Sequence, residues 1–264
     1  MRIKTAAVSF PVERGQPEAN LARAAALLRQ AAAGGARLIV MPELWNTGYD
    51  LAHGAALAQG AAGPAVTMLR ETAGALGVCI VGGSVIEKKQ GKYYNTMFVA
   101  GADGNILCKY RKAHLFPHGL EEHLFFSPGD ELVRFDLELA GESVCVGAAI
   151  CYDLRFPELF RNLALRGAKL FAVPAYWPAA RRGEFELFCR SRAAENRCFL
   201  VAANDAPGAP SLIVSPEGDV LAASVEAECL LYATLDLSIL DSGRLFNAIA
   251  DRQPFIDEID DNLL

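Results

Sequence analysis

The sequence predicts an α/β protein in which β-sheets are covered by helices. Segments with helical periodicity alternate with short apolar runs, and Gly-containing turns join neighbouring runs into hairpins. The resulting set of about a dozen strands and four or five helices has too many strands for a helical bundle. With 264 residues, 52% of them hydrophobic, the chain can bury one large core. No linker or low-complexity tract divides the sequence, so we expect a single domain over residues 1–264.

The first half of the chain alternates strands with helices and then continues in hairpins. The helix over residues 18–33 is rich in Ala and Leu, follows Pro17 and stops at Gly34, and Gly77 stops the second helix in the same way. The sequence ADGN at residues 102–105 lies between two apolar runs and predicts a hairpin turn. The predicted strands cover residues 3–10, 38–41, 78–83, 84–87, 94–100 and 106–111, and the helices cover 18–33 and 65–76.

The second half of the chain begins with a hairpin and then again alternates helices with strands before it continues in hairpins. A turn at residues 140–142 joins the first two strands, and Pro157 begins a short helix. A later helix is amphipathic, with Phe185, Phe188 and Cys189 on one face. The predicted strands cover residues 133–137, 144–150, 170–174, 198–203, 211–215, 220–224 and 230–235, and the helices cover 157–166 and 185–196.

Charge and cysteine content exclude several classes of protein. The formal net charge of −6 argues against a nucleic-acid surface, which needs clustered Lys and Arg. The longest apolar run, residues 170–180, has 11 residues and two prolines, so we expect no membrane span. The N-terminus lacks the apolar core of a signal peptide. The seven cysteines contain no CxxC pair, which indicates a reducing compartment, and we expect a cytoplasmic protein.

Cys151 differs from the other cysteines in its position. It ends a predicted strand and precedes the turn into the helix that begins at Pro157. Backbone dipoles at such a place favour the thiolate, although Asp153 would oppose this unless it is paired. A nucleophilic cysteine is one interpretation, and a buried inert thiol is the other.

A nucleophilic cysteine needs a base, and Glu43 is the strongest candidate. It follows the buried strand at residues 38–41, where a sheet ends and ligand sites often lie. The alternative is a glutamate that caps the following loop. Lys112 closes another strand and could stabilise an oxyanion, but beside Lys109 and Arg111 it could equally be a solvated surface lysine.

Three of the four histidines lie in the segment HLFPHGLEEH. His114, His118 and His123, together with Glu121 and Glu122, could form a metal cluster. Their spacing matches no rigid zinc pattern, so a packed lid is the expected structure and no metal is predicted. A zinc-binding protein remains an alternative hypothesis.

Three segments together resemble the catalytic segments of the nitrilase superfamily of carbon–nitrogen hydrolases: MPELWNTGY, KYRKAHLF and AAICYDLRFPELFR. The resemblance extends from about residue 3 to residue 235. It implies a four-layer αββα sandwich and a catalytic triad of Glu43, Lys112 and Cys151. It also implies that Glu122 orients Lys112 and substrate, that the backbone N–H of Tyr152 helps to bind the oxyanion, and that no cofactor is needed.

Within the superfamily, the segments CYDLRFPELF and AYWP resemble the small-acid amidases, which include the ω-amidases. Arg155 or Arg181 could bind a substrate carboxylate in a bidentate manner. Tyr49, Tyr176 and Trp177 are candidate pocket walls. The expected reaction is hydrolysis of a carboxylate-bearing ω-amide through a thioester, with release of ammonia. Hydrolysis of N-carbamoyl compounds or nitriles, and a catalytically silent binding protein, remain alternatives.

Two regions depart from the superfamily pattern. The stretch at residues 204–211 is short and lacks the usual Gly-rich loop. The tail from residue 246 to residue 264 resembles nothing in the family and could be an arm exchanged between subunits. Since members commonly dimerise by extending the sandwich, we expect a homodimer or a higher homo-oligomer.

Overall fold

The computed structural model describes residues 1–139, 141–241 and 249, and in them two β-sheets lie between helices. The helices are α1 (Pro17–Ala33), α2 (Gly54–Leu57), α3 (Pro64–Leu76), α4 (Glu122–Phe125), α5 (Pro157–Leu165) and α6 (Arg182–Asn196). The strands are β1 (Arg2–Ser9), β2 (Leu38–Val40), β3 (Cys79–Val81), β4 (Val85–Lys89), β5 (Lys92–Ala100), β6 (Ile106–Arg111), β7 (Arg134–Leu139), β8 (Glu142–Ala148), β9 (Leu170–Ala175), β10 (Phe199–Asn204), β11 (Ser211–Val214), β12 (Val220–Ser224) and β13 (Cys229–Asp236).

The first sheet has seven strands in the order β13-β1-β2-β3-β5-β4, with β6 paired to the other edge of β5. The second has six strands in the order β12-β11-β10-β9-β8-β7. Strands β1, β2 and β3 are parallel, as are β8, β9 and β10, while hairpins supply the antiparallel strands. Each sheet therefore has a parallel centre whose carboxyl ends face one end of the molecule.

The two sheets pack face to face, with β1 and β2 lying against β9, β10 and β11. Helices α1 and α3 cover the outer face of the first sheet, and α5 and α6 cover that of the second. Side chains along β2 point alternately to the two faces of the sheet. Leu38 and Val40 belong to the core between the sheets, while Ile39 belongs to the core under α1 and α3. The expected four-layer αββα sandwich is confirmed.

The predicted elements agree closely with the structure. Helix α6 begins at Arg182, three residues before its predicted start, and β8 ends at Ala148, two residues before its predicted end. Helices α2 and α4 were not predicted, because four residues are too few to show a helical period. Within the described residues, no helix combines the length and apolar character needed to cross a bilayer. The proposed arm at residues 246–264 lies outside the described residues except for Ile249, and the homodimer stays a prediction.

Candidate active site

The candidate catalytic residues follow strand ends of both sheets. Glu43 comes after β2 of the first sheet, and its backbone N–H donates to Ala175 O at the end of β9 in the second sheet, at 3.4 Å. Gly83 makes a close approach possible here, since a Cβ on it would lie 2.0 Å from Pro42 O. The two sheets therefore meet at this end, and side chains from both can converge.

Glu43 is almost fully buried, with 1% of its surface exposed. Its Oε1 accepts hydrogen bonds from Lys112 Nζ at 2.7 Å and from Asn95 Nδ2 at 2.8 Å. Its Oε2 accepts one from the backbone N–H of Tyr176 at 3.0 Å. These contacts hold the carboxylate inside the site, so Glu43 does not simply cap a surface loop.

Lys112 is buried as well, so the alternative of a solvated surface lysine is wrong. Its backbone N–H continues the pairing of β6 with β5 by donating to Asn95 O. Its ammonium donates to Glu43 and to both oxygens of Glu122, at 3.0 and 2.8 Å. Although burial alone would lower the pKa of Lys112, the two carboxylates raise it well above its ordinary value, and the side chain stays charged.

Glu122 receives five hydrogen bonds within this site. Its donors are Lys112 Nζ to both oxygens, Tyr49 Oη at 2.9 Å, Asn95 Nδ2 at 3.4 Å and the backbone N–H of Phe116 at 2.7 Å. Burial, together with the charge of Glu43, raises the pKa of Glu122 despite the opposing effect of Lys112. Since both oxygens are engaged, Glu122 is placed to fix Lys112 and Tyr49 rather than to exchange protons.

Cys151 begins a short 3-10 turn, Cys151–Arg155, three residues beyond the end of β8. Its φ of +46° lies in the left-handed region, which non-glycine residues rarely adopt and which marks a locally constrained backbone. The thiol interacts electrostatically with Glu43, Lys112 and Glu122. Its surroundings therefore differ from those of a thiol that is buried among apolar side chains alone.

The expectation of a favoured thiolate is wrong for the resting protein. Burial, and then the charge of Glu43, raise the pKa of Cys151 well above its ordinary value, although Lys112 and the backbone N–H of Tyr176 oppose them. Backbone dipoles at the turn do not outweigh this desolvation. The thiol is protonated at rest, and a base is needed to activate it.

Asp153 is paired, as its position beside the thiol requires. Its Oδ1 accepts from the backbone N–H and from Nδ1 of His114, at 3.0 and 2.7 Å. Its Oδ2 accepts from Tyr110 Oη and from the backbone N–H of Ile150, both at 2.8 Å. This carboxylate ties the turn that carries Cys151 to the strand end that carries Lys112.

A cavity of about 370 Å³ opens beside Cys151 and Lys112. All the side chains that the sequence suggested for substrate contact line it, and so does Tyr152; they are Tyr49, Arg155, Tyr176, Trp177 and Arg181. The rings of Tyr49 and Tyr176 lie 5.0 Å apart and form one wall. The size suits a small molecule of a few carbon atoms.

The two arginines at the cavity differ in their surroundings. The guanidinium of Arg155 lies 4.9 Å from the ring centroid of Trp177 and 5.1 Å from that of Phe188. Arg155 forms an ion pair with Glu184, and Nη1 of Arg181 lies 3.9 Å from the same oxygen. Two guanidinium groups thus share one carboxylate at the cavity.

The histidines of the 114–123 segment contact three different groups. His114 bonds to Asp153 and stacks on Phe156, with ring centroids 3.5 Å apart. His118 lines the cavity, and His123 lies 3.7 Å from Glu121. Among the described residues, no three His, Cys, Asp or Glu side chains form a group that could hold a metal ion.

Sequence reasoning missed Asn95, which donates to both Glu43 and Glu122 from the middle of β5. The cavity lining at Phe116, His118 and Leu120 was also missed, because that segment was expected only as a lid. One signal was present: Asn95 is a polar residue just before the apolar run at residues 97–100, where a buried amide needs partners.

Comparisons with known proteins identify the family and support the fold. The pattern of the carbon–nitrogen hydrolase family matches residues 4–244. The 2-oxoglutaramate amidase of Bacillus subtilis is 37% identical over 244 residues, covering 90% of this chain and 92% of the relative. The omega-amidase NIT2 of Homo sapiens is 35% identical over 236 residues, 84% of each chain. The structure of XC1258 from Xanthomonas campestris, a CN-hydrolase superfamily protein with an arsenic adduct in its active site, has a TM-score of 0.85 at 28% identity, covering 98% of this chain and 100% of that one.

Proposed function

The chain belongs to the carbon–nitrogen hydrolase family, and we propose that it is an amidase for the ω-amide of a small carboxylic acid. Cys151 is the nucleophile, Glu43 the general base, and ammonia the first product. The observation that carries the proposal is the buried cluster of Glu43, Lys112 and Glu122 beside the Cys151 thiol at the cavity. Two of the relatives are named as amidases of this class.

The first chemical step is attack by the thiol. Glu43 accepts the proton of Cys151 as Sγ bonds to the amide carbon, because the resting thiol is protonated. The carbonyl oxygen becomes an oxyanion and is stabilised by Lys112 Nζ and by the backbone N–H of Tyr152. Each such donor contributes about 3–4 kcal/mol in comparable sites.

The second step releases ammonia and then the acid. Glu43 passes its proton to the leaving nitrogen, the C–N bond breaks, and a thioester remains on Cys151. Glu43 then removes a proton from a water molecule, which attacks the thioester and regenerates the thiol. The sum is one amide and one water converted into one carboxylate and one ammonium ion.

The charges in the cavity favour a substrate with a carboxylate at its far end. Before Glu43 takes up the thiol proton, Lys112 is neutralised by Glu43 and Glu122, so the resting cluster at Cys151 offers no free positive charge to a substrate carboxylate. Arg155 and Arg181 carry two positive charges, and Glu184 compensates one of them, so one positive charge remains. A bidentate contact with a guanidinium would orient the carboxylate there and the amide at Cys151.

Ammonia release from a panel of ω-amides, neutral amides, N-carbamoyl acids and nitriles tests the proposal. We expect release mainly from ω-amides, and loss of it in Cys151→Ala. Cys145→Ala is the matched control, since that thiol lies on β8 but does not line the cavity. Release mainly from N-carbamoyl acids or nitriles would choose the alternative reactions. No release from any class, with Cys151 no faster than Cys189 towards iodoacetamide, would favour a binding protein.

A further inference from the structure

Glu184, near the start of α6, holds the contact that a substrate carboxylate would need. Its Oε2 pairs with Nη2 of Arg155 and lies 3.9 Å from Nη1 of Arg181. Both arginines line the cavity. A carboxylate of the protein therefore already engages both guanidinium groups before any ligand enters.

The three side chains differ in how firmly they are held. Arg155 is only 24% exposed and is packed over Trp177 and Phe188, so its plane is fixed. Glu184 and Arg181 are about half exposed, at 46% and 50%. An exposed ion pair is weak because water and salt screen it. Glu184 can therefore leave the pair while Arg155 keeps its position.

We propose that Glu184 is a specificity-determining residue, an internal carboxylate that competes with the substrate carboxylate for Arg155 and Arg181. This inference rests on the proposed function, since it needs a substrate with a carboxylate at the arginine end. Binding exchanges one carboxylate for another at the same guanidinium groups, and Glu184 turns to solvent. No proton moves and no covalent bond changes.

The exchange limits how strongly the two arginines favour a carboxylate-bearing amide over a neutral one. A carboxylate in the cavity can displace Glu184 because it replaces the ion pair that it breaks. A neutral amide of the same length has no carboxylate to pair with the arginines, so it leaves the Arg155–Glu184 pair in place. Glu184 therefore weakens the binding of carboxylate-bearing amides and leaves that of neutral amides unchanged.

Steady-state kinetics of Glu184→Gln test this with two substrates of similar length, glutaramate and pentanamide. We expect KM for glutaramate to fall about two- to fivefold, the ratio that corresponds to an exposed ion pair. The kcat for glutaramate and both constants for pentanamide should stay unchanged. Glu186→Gln is the matched control, because Glu186 lies on the same helix, is equally exposed and pairs with Arg190 away from the cavity.

A KM for glutaramate that rises, or that changes equally in the two variants, would overturn the inference, since Glu184 would then position Arg155 or act only through net charge. A second measurement needs no turnover: the rise in melting temperature caused by glutarate. The glutarate concentration that gives half of the maximal rise should be two- to fivefold lower in Glu184→Gln than in the wild type, and unchanged in Glu186→Gln. Equal concentrations in Glu184→Gln and the wild type would overturn the inference. Glutarate has no amide and is not hydrolysed. This measurement therefore tests the role of Glu184 even if the protein hydrolyses no ω-amide.

Discussion

At the scale of single residues, one buried ammonium holds the site together. Lys112 Nζ contacts both Glu43 and Glu122, and none of the three side chains has exposed surface. Two buried carboxylates repel each other unless a cation lies between them. Lys112 therefore has a structural role in addition to the proposed oxyanion contact.

Lys112→Met should remove both roles. We expect kcat for the best amide substrate to fall at least about 10²-fold, because one oxyanion donor is lost. The free energy of unfolding should fall by about 3–5 kcal/mol, because the buried carboxylates lose their partner. Ammonia release and urea unfolding measure the two effects, and Lys89→Met, at an exposed position, is the control. A variant that unfolds like the wild type would contradict the structural role.

Local position suggested the residues near strand ends as candidates, and the family resemblance then implied their roles. Glu43 and Lys112 each come shortly after a strand, and Cys151 comes before a helix start, so their neighbourhood is visible in the sequence. Asn95 lies within a strand, and its contact with Glu43 depends on the pairing of β2 with β3 and of β3 with β5, which sequence alone does not give. The protonation of the thiol was predicted wrongly because burial is a property of the whole fold.

At the scale of secondary-structure elements, Asp153 links the two sheets through their strand ends. It receives hydrogen bonds from Tyr110 on β6, from His114 just beyond β6, and from Ile150 just beyond β8. Lys112 lies between Tyr110 and His114 in the chain, and Cys151 follows Ile150. The carboxylate thus fixes the distance between the proposed nucleophile and the proposed oxyanion donor.

Asp153→Asn should disturb this distance without touching substrate. The amide NH₂ would face two donors, and each donor left unpaired costs about 1–3 kcal/mol. We expect a lower free energy of unfolding, together with a kcat that falls more than KM changes. Asp136→Asn, at an exposed position on β7, is the control. A variant with normal kcat in its folded fraction would show that Asp153 only stabilises the fold.

Strands β4, β5 and β6 share another buried carboxylate, that of Glu87 on β4. It accepts from Arg111, Lys109 and Thr96, at 2.8, 2.6 and 3.0 Å. Although burial alone would raise the pKa of Glu87, these hydrogen bonds hold it below its ordinary value. A carboxyl whose pKa is lowered by folding stabilises the protein above its unfolded pKa, and this contribution is lost as the pH falls through the folded pKa.

Glu87→Gln should therefore destabilise the protein in a pH-dependent way. At pH 7 we expect the free energy of unfolding to fall by about 1–3 kcal/mol, because two cations lose a charged acceptor. Below about pH 4, near the unfolded pKa of glutamate, the difference from the wild type should shrink. Urea unfolding at both pH values measures this, with exposed Glu138→Gln as the control. A difference that stays constant with pH would contradict the ion-pair explanation.

At the scale of the whole molecule, the site exists only where the two sheets pack together. Glu43 and Lys112 come from the first sheet, whereas Cys151 and the N–H of Tyr176 come from the second. The sequence predicted the strands and the order of the elements, but their division into two facing sheets came from family resemblance. Packing between the sheets should consequently affect the chemistry more than packing under the helices.

Two neighbours on β2 separate these effects. Leu38 is buried between the sheets and Ile39 is buried under α1 and α3, and neither has exposed surface. Replacing either by Ala should lower the free energy of unfolding by about 2–5 kcal/mol, measured in urea. Only Leu38→Ala creates a cavity between the sheets, whose strands carry Glu43 and Cys151. We therefore expect kcat of the folded fraction to fall only in this variant. Leu187→Ala, at an exposed position on α6, should change neither quantity. Equal kcat in the Leu38 and Ile39 variants would contradict this. It would mean that the contacts of Asp153 and Lys112 at the strand ends keep the catalytic side chains in position, whatever the packing between the sheets.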